Sequence, residues 1–200
     1  MIKTERKTQI VQTAAKLFRE KGYKAVSMRD LAEGLGIKAA SLYNHISSKE
    51  QILSSIIMDV VREFTTHMNQ TYPKACSVRQ KLEDIVQMHV EITILRTDAL
   101  ACMNNDWIHL DADNRHEYID LRDDYEDKFR TIILQGMKTG EIEKCDPDII
   151  VFSLLSTLRT LYLWYAKNKR FDIDTLKEDI TQILLLGIVD KPQLKRLSRQ

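Results

Sequence analysis

Ser27-Met-Arg-Asp-Leu-Ala-Glu-Gly-Leu-Gly-Ile-Lys-Ala-Ala-Ser-Leu-Tyr-Asn-His-Ile-Ser-Ser-Lys-Glu50 is the stretch that decides the fold. Ser27 with Asp30 three residues on is a capping-box variant, so a short helix starts there and turns Met28, Leu31 and Ala32 inward. Gly34 and Gly36 bracket Leu35 and mark the end of that helix, because glycine takes up the left-handed backbone a sharp turn demands. A second helix of about two turns is predicted from Lys38 to His45, with Leu42 toward the core and Lys38, Ala39, Ala40, Ser41 and Asn44 toward solvent. Ser47, with Glu50 three residues later, predicts the cap of a third and much longer helix.

The solvent face of the second helix is made mostly of small side chains. Such a face lets the backbone approach base edges closely: alanine can meet a thymine methyl, and serine and asparagine can hydrogen-bond. Two short helices about a tight turn, the second with that face, have the helix-turn-helix layout, and double-stranded DNA is the expected partner. Ser27, Lys38, Ala39, Ala40, Ser41, Tyr43, Asn44, His45 and Lys49 are the candidate DNA-contacting residues. Tyr43, His45 and Lys49 make a candidate phosphate clamp, since a phenol, an imidazole and an ammonium can all donate to phosphate oxygens. Lys49 also opposes the dipole of the helix it opens, which points to an anion nearby. Charge is divided accordingly: residues 1–50 hold ten Lys/Arg against five Asp/Glu, and the remainder hold twenty against twenty-four. The basic excess sits where DNA is expected, although the whole chain carries only +1.

Residues from about 6 to 60 resemble the DNA-binding domain of the TetR family of bacterial regulators. The likeness rests on Ile10-Val-Gln-Thr-Ala-Ala-Lys-Leu-Phe-Arg-Glu-Lys-Gly-Tyr23, Ser27, Leu31-Ala32, Gly36-Ile37, Ser41-Leu-Tyr-Asn-His45 and Ser48-Lys-Glu50, all in order. Ala40 stands where many members have glycine and Ile46 where most have phenylalanine, departures that bear on which operator is read. The resemblance implies a dimer held by the last two long helices and a ligand-binding domain that differs from member to member.

The fold class expected is all-α: an N-terminal three-helix helix-turn-helix domain over 1–48, then a larger helical ligand-binding and dimerisation domain over 49–200. Further helices are predicted at roughly 48–69, 78–96, 98–110, 113–138, 146–168 and 174–189, with breaks at Tyr72-Pro73, Gly140 and Asp146-Pro147. The helix from Asp146 is apolar around most of its circumference, and the last one, with Leu176, Ile180, Ile183, Leu184, Leu185 and Ile188, has a similar surplus. Such helices pack their own core on one side and leave a surplus apolar face on the other; the family resemblance implies that this face, over about 146–189, holds a homodimer. No apolar run reaches membrane-spanning length, the start of the chain lacks a signal-peptide core, and Cys76, Cys102 and Cys145 have no CxxC spacing; a cytoplasmic protein with reduced, mostly structural thiols is expected.

Tyr118, Arg122, Tyr125 and Phe129 form one helical stripe of aromatic surface with a fixed positive charge. Met88, Ile92, Met103, Trp107, Phe152 and Arg159 are the candidate residues facing it. That lining suits a lipophilic effector with an anionic group, held by arginine. The alternative is a packed core in which Arg122 pairs with Glu126 and Arg159 with an acid elsewhere. The run Arg122-Asp-Asp-Tyr-Glu-Asp-Lys-Phe-Arg130 and Trp164-Tyr165 are similar to segments in TetR-type regulators of fatty-acid and acyl metabolism, which implies an acyl-coenzyme A or fatty-acid effector. A second alternative is a metal-responsive regulator using His109, Asp113, His116 and Asp120. No metal or other cofactor is expected on the first reading. With no phosphate loop, nucleophile elbow or HExxH motif in the sequence, an enzyme is the weakest class.

Overall fold

The computed structural model describes residues 2–186, with side chains from Arg6 onward, and the described residues form nine α-helices and no strand. The portion of the last helix predicted beyond 186, Ile188 included, lies outside them. Helix α1 (Ile2–Lys21) buries Ile10, Ala14 and Phe18, one residue per turn. A single 3-10 turn (Tyr23–Ala25) leads to α2 (Met28–Gly34) and α3 (Ala39–Tyr43). Both halves of the capping box at Ser27 are present: its hydroxyl accepts from the Asp30 N–H, and the Asp30 carboxylate accepts from the Ser27 N–H. Gly36 has a φ of 65°, the left-handed backbone expected of the turn, whereas Gly34 stays in the last turn of α2. Helix α3 is shorter than predicted because neither end has a side-chain cap.

Helix α4 (Lys49–Thr71) is capped one residue later than the sequence suggested. Ser48 is the N-cap and accepts from the Gln51 N–H, while the Gln51 side chain accepts from the Ser47 N–H and hydroxyl. Two adjacent serines before a glutamine offered two registers, and the second satisfies more backbone donors. The remaining helices are α5 (Val78–Leu95), α6 (Thr97–Asp106), α7 (Ala112–Thr139), α8 (Pro147–Tyr165) and α9 (Ile173–Leu185). Beyond α6 the backbone tightens into a 3-10 turn, Trp107–His109, where one longer helix was expected. Gly140, left-handed with a φ of 80°, ends α7, and Asp146-Pro147 opens α8.

The hydrophobic core is continuous from the N-terminal helices into the larger domain: Ile10, Phe18 and Leu42 belong to the same buried cluster as Phe129, Leu154 and Leu158. Helix α4 carries this continuity, with Ile52, Leu53, Ile56, Ile57, Val60 and Met68 buried. It packs on α1 at one end and on α5, α6 and α7 along its length. The expected boundary at 48/49 therefore falls at a helix cap, with no break in the core. Among the described residues, no helix is long and apolar enough to cross a membrane.

Replacing Ser48 with alanine is expected to cost about 1 kcal/mol in urea unfolding, as lost N-caps do. Ser47→Ala, which leaves its backbone N–H on Gln51, is expected to cost clearly less. The reverse order would restore the cap to Ser47.

Candidate functional site

Two sites are built on this frame. At the N-terminal end, Leu42 and Ile46 are buried and anchor α3, which leaves Lys38, Ala40, Ser41, Tyr43, Asn44 and His45 exposed on one protruding surface. Ala39 is half-buried and packs partly on the core. The Ser27 hydroxyl is engaged within its own capping box. Lys49 is placed differently from a free clamp residue: its Nζ donates to the Tyr23 and Val26 carbonyls, at 3.0 and 2.8 Å, and lies 4.3 Å from the centre of the Tyr23 ring. Those carbonyls and the ring offset the unfavourable charge at the start of α4 and leave one N–H of the ammonium uncommitted.

Tyr23 is the meeting point of several elements. Its ring packs edge-on against Phe18 and stacks on His109, centroids 5.3 Å apart and planes 21° apart. Burial, reinforced by the charge of Glu50, pushes its phenol up to about 12.

The second site is a cavity of about 60 Å³ between α4, α5, α6, α7 and α8. Five of the residues expected there line it: Met103, Tyr118, Arg122, Tyr125 and Arg159. Five do not. Phe152 is 71% exposed and lies on the outer face of α8; that helix is apolar on both sides, and periodicity gives no sign of which faces inward. Phe129 is fully buried behind Tyr125, Trp107 stacks on Tyr118 from outside the cavity, and Met88 and Ile92 pack in the surrounding core. The sequence reading missed Val61, Phe64 and Thr65 on α4, His89 on α5, Leu100 and Asn104 on α6, and Leu121 and Leu158. The signal lay in α4, where Val61, Phe64 and Thr65 continue an apolar stripe beyond the segment that packs on α1.

Arg159 pairs with an acid elsewhere, as the packed-core alternative expected, whereas Arg122 takes a local partner other than the expected Glu126. Arg159 reaches Glu126 across the α7–α8 contact at 2.5 Å, with a relative side-chain exposure of 41%, and Arg122 pairs with its neighbour Asp123 at 2.9 Å. Both guanidinium groups thus stand at the solvent edge of a largely apolar cavity, each with one carboxylate that a ligand anion could replace. At the buried end, His89 Nε2 and the Tyr125 hydroxyl are hydrogen-bonded at 2.9 Å. The Phe64 ring lies 4.5 Å from His89. Burial pushes the His89 imidazole down to about 3 and the Tyr125 phenol above its usual range, so both are neutral.

The histidine and carboxylate set considered for a metal does not assemble. His109 faces Tyr23, whereas His116 and Asp120 pair 3.5 Å apart on the exposed side of α7. Among the described residues no three His, Cys, Asp or Glu side chains converge to hold a metal ion. Of the thiols, expected to be mostly structural, only Cys102 is buried, and burial pushes it up to about 12; Cys76 and Cys145 are exposed.

A basic helix-turn-helix unit joined to an all-helical domain with its own cavity matches known proteins in both parts. The family profile "Bacterial regulatory proteins, tetR family" matches residues 10–56, and "Tetracyclin repressor-like, C-terminal domain" matches residues 75–188. The chain belongs to the TetR family. It is 26% identical over 188 residues to the HTH-type transcriptional repressor KstR2 of Rhodococcus jostii (strain RHA1), covering 93% of this chain and 92% of that one. It is 22% identical over 192 residues to the fatty acid metabolism regulator protein of Bacillus subtilis (strain 168), covering 92% and 95%. The structure of the ketosteroid transcriptional regulator KstR2 of Mycobacterium tuberculosis superposes with a TM-score of 0.87 at 19% identity over 93% of this chain and 96% of that one. AibR in complex with isovaleryl coenzyme A and operator DNA superposes with a TM-score of 0.75 at 22% identity over 89% and 97%. Both structural likenesses establish the TetR-like all-α fold, and family membership makes this chain a DNA-binding transcriptional regulator.

His89 gives the fold a pH dependence of known sign. An unfolded histidine takes up its proton near 6.5, and the buried one only near 3, so between those values the unfolded chain binds more protons and stability is lost as pH is lowered. Half-buried His67 is shifted the same way. From pH 7.5 to 5.5, urea unfolding is expected to show wild type losing about 1.4 kcal/mol more than His89→Gln; equal losses would place His89 in contact with water.

Proposed function

We propose that this TetR-family protein is a ligand-responsive repressor that binds a palindromic operator as a homodimer and is released by a lipophilic anionic effector, an acyl-coenzyme A or fatty acid. The observation that carries the effector class is the cavity: apolar walls from Val61, Phe64, Leu100, Met103, Leu121 and Leu158, with Arg122 and Arg159 at the solvent edge. An apolar chain fits the walls, and a phosphate or carboxylate fits a guanidinium. The names of the relatives support the same class, since one is a fatty acid metabolism regulator and AibR was captured with isovaleryl coenzyme A.

The homodimer reading rests on α8 and α9. Helix α8 buries Ile150, Val151, Leu154, Leu155, Leu158, Leu161 and Tyr162, and still exposes Ile149, Phe152, Leu163 and Trp164. Ser153, Ser156, Thr157 and Thr160 lie between those exposed groups and are small enough for a partner helix to come close. Ile183 and Leu186 extend the face on α9. Two copies packed there would form a four-helix bundle and carry two reading helices about 34 Å apart, one major groove each on the same side of DNA. Ser41 and Asn44 then read bases, while Tyr43, His45, Lys38 and the remaining Lys49 donor hold phosphates. An effector that favours a different spacing by about 1–3 kcal/mol lowers operator affinity roughly five- to 150-fold.

Arg159→Gln is expected to weaken acyl-coenzyme A binding by roughly ten- to 100-fold while leaving operator binding by the ligand-free protein intact. Titration calorimetry and operator gel shifts read the two effects. If no acyl-coenzyme A or free fatty acid of any chain length binds or releases operator DNA, the effector class is wrong. Phe152→Arg is expected to shift the protein to monomer in analytical ultracentrifugation; an undisturbed dimer would move the interface elsewhere. On DNA, Asn44→Ala is expected to change base preference in a selection from random sequences, and Tyr43→Phe to weaken all sequences alike.

A further inference from the structure

The buried end of the cavity has a chemistry that an acyl chain alone does not require. His89 and Tyr125 are each 7% exposed, face one another at 2.9 Å, and sit among Phe64, Leu100 and Leu158. A pair of apolar side chains would fill that space without the cost of burying polar atoms. Two other polar side chains in the wall are already used: the Thr65 hydroxyl donates to backbone carbonyls of its own helix, and the Asn104 amide donates to the Leu100 carbonyl. We infer that the His89–Tyr125 pair recognises a neutral oxygen substituent, a hydroxyl or a carbonyl, on the apolar body of the effector. The proposal rests on the cavity being the effector site and narrows what fills it to an oxygenated lipophilic body.

The hydrogen bonding supports this. A neutral imidazole has one donor and one acceptor nitrogen, and the phenol can play either part toward it. When His89 Nε2–H donates to the phenol oxygen, the Tyr125 O–H is free to donate to a ligand carbonyl or hydroxyl. When Tyr125 donates to His89, its oxygen can accept from a ligand hydroxyl. One pair therefore serves both oxygen types. The low imidazole basicity keeps a competing charge out of this end. Phe64, stacked near His89 and edge-on to Tyr125, holds both rings in position.

The test uses the full chain and small probes that need no coenzyme A. Methyl-labelled methionine places an NMR reporter at Met103 in the cavity wall, and cyclohexanol, cyclohexanone and methylcyclohexane are titrated into wild type and Tyr125→Phe. The expected result is that the affinity of each oxygenated probe relative to methylcyclohexane falls about tenfold in Tyr125→Phe, while methylcyclohexane itself is unchanged or tighter. An unchanged ratio, or no binding by any probe, overturns the proposal. Should Tyr125→Phe fail to fold, His89→Gln takes its place, with the same ratio as readout. Acyl-coenzyme A esters of equal length, with and without a terminal hydroxyl, form a separate arm. Failure of both esters with the probe ratio intact refutes the coenzyme A reading and leaves the oxygen recognition standing.

Discussion

Tyr23 is held by contacts from three separate elements of the fold. Its ring packs on Phe18 of α1, carries the Lys49 ammonium of α4 at 4.3 Å, and stacks on His109 from the turn after α6. Its carbonyl and that of Val26 are tied to the same ammonium. A short irregular segment between two helices would ordinarily be among the least constrained parts of a domain. Here it is fixed by an aromatic stack, a cation over a ring and two charge-assisted hydrogen bonds. The position of α2 and α3 relative to the larger domain follows from that constraint, because the chain leaves this segment directly into the capping box at Ser27.

Helix α6 provides the second connection. Leu100, Met103 and Asn104 look into the cavity. From the same ten residues, Asp98 pairs with Arg19 of α1 at 2.9 Å, and the Cys102 thiol lies 3.7 Å from the Ala15 carbonyl. The same short helix thus meets the cavity on one side and α1 on the other, and the turn that follows it carries His109 to Tyr23. The Ser54 hydroxyl, which donates to Asp111 at the start of α7, ties α4 into the same corner. Packed side chains therefore run without a break from the cavity through α6 to α1 and Tyr23.

The sequence was most legible where structure is set locally. The Ser27–Asp30 box, the turn at Gly36 and the Asp146-Pro147 start all depend on residues within four positions of one another, and each appears as the pattern implied. It was least legible where partners are distant. Helix α8 is apolar on two faces, so Phe152 could be assigned inward or outward equally well; only the packing of Leu154, Leu155 and Leu158 decides it. A lone histidine in the apolar run of α5 reads as core until Tyr125, thirty-six residues away, is brought beside it. Lys49 reads as a free cation until the turn before α2 folds back over it. The Ser47/Ser48 ambiguity is the exception among local features, because two adjacent caps compete for the same helix.

The small size of the cavity bears on how the switch can work. Sites for drug-sized ligands occupy about 300–1,000 Å³, against about 60 Å³ here. A ligand that entered a hole already large enough would bind alike whatever the position of the reading helices, and equal affinity for two forms shifts nothing. A chain that has to part its walls does so against α4 and α6, and those are the helices that hold α1 and Tyr23. Leu100 and Met103, one of them unbranched and adaptable, are the wall residues most able to yield. Under the proposed effector reading, opening the cavity and displacing the reader would be the same event. The coupling would be strongest for an effector bulky enough to force α6 outward and weak for one that fits between the existing side chains.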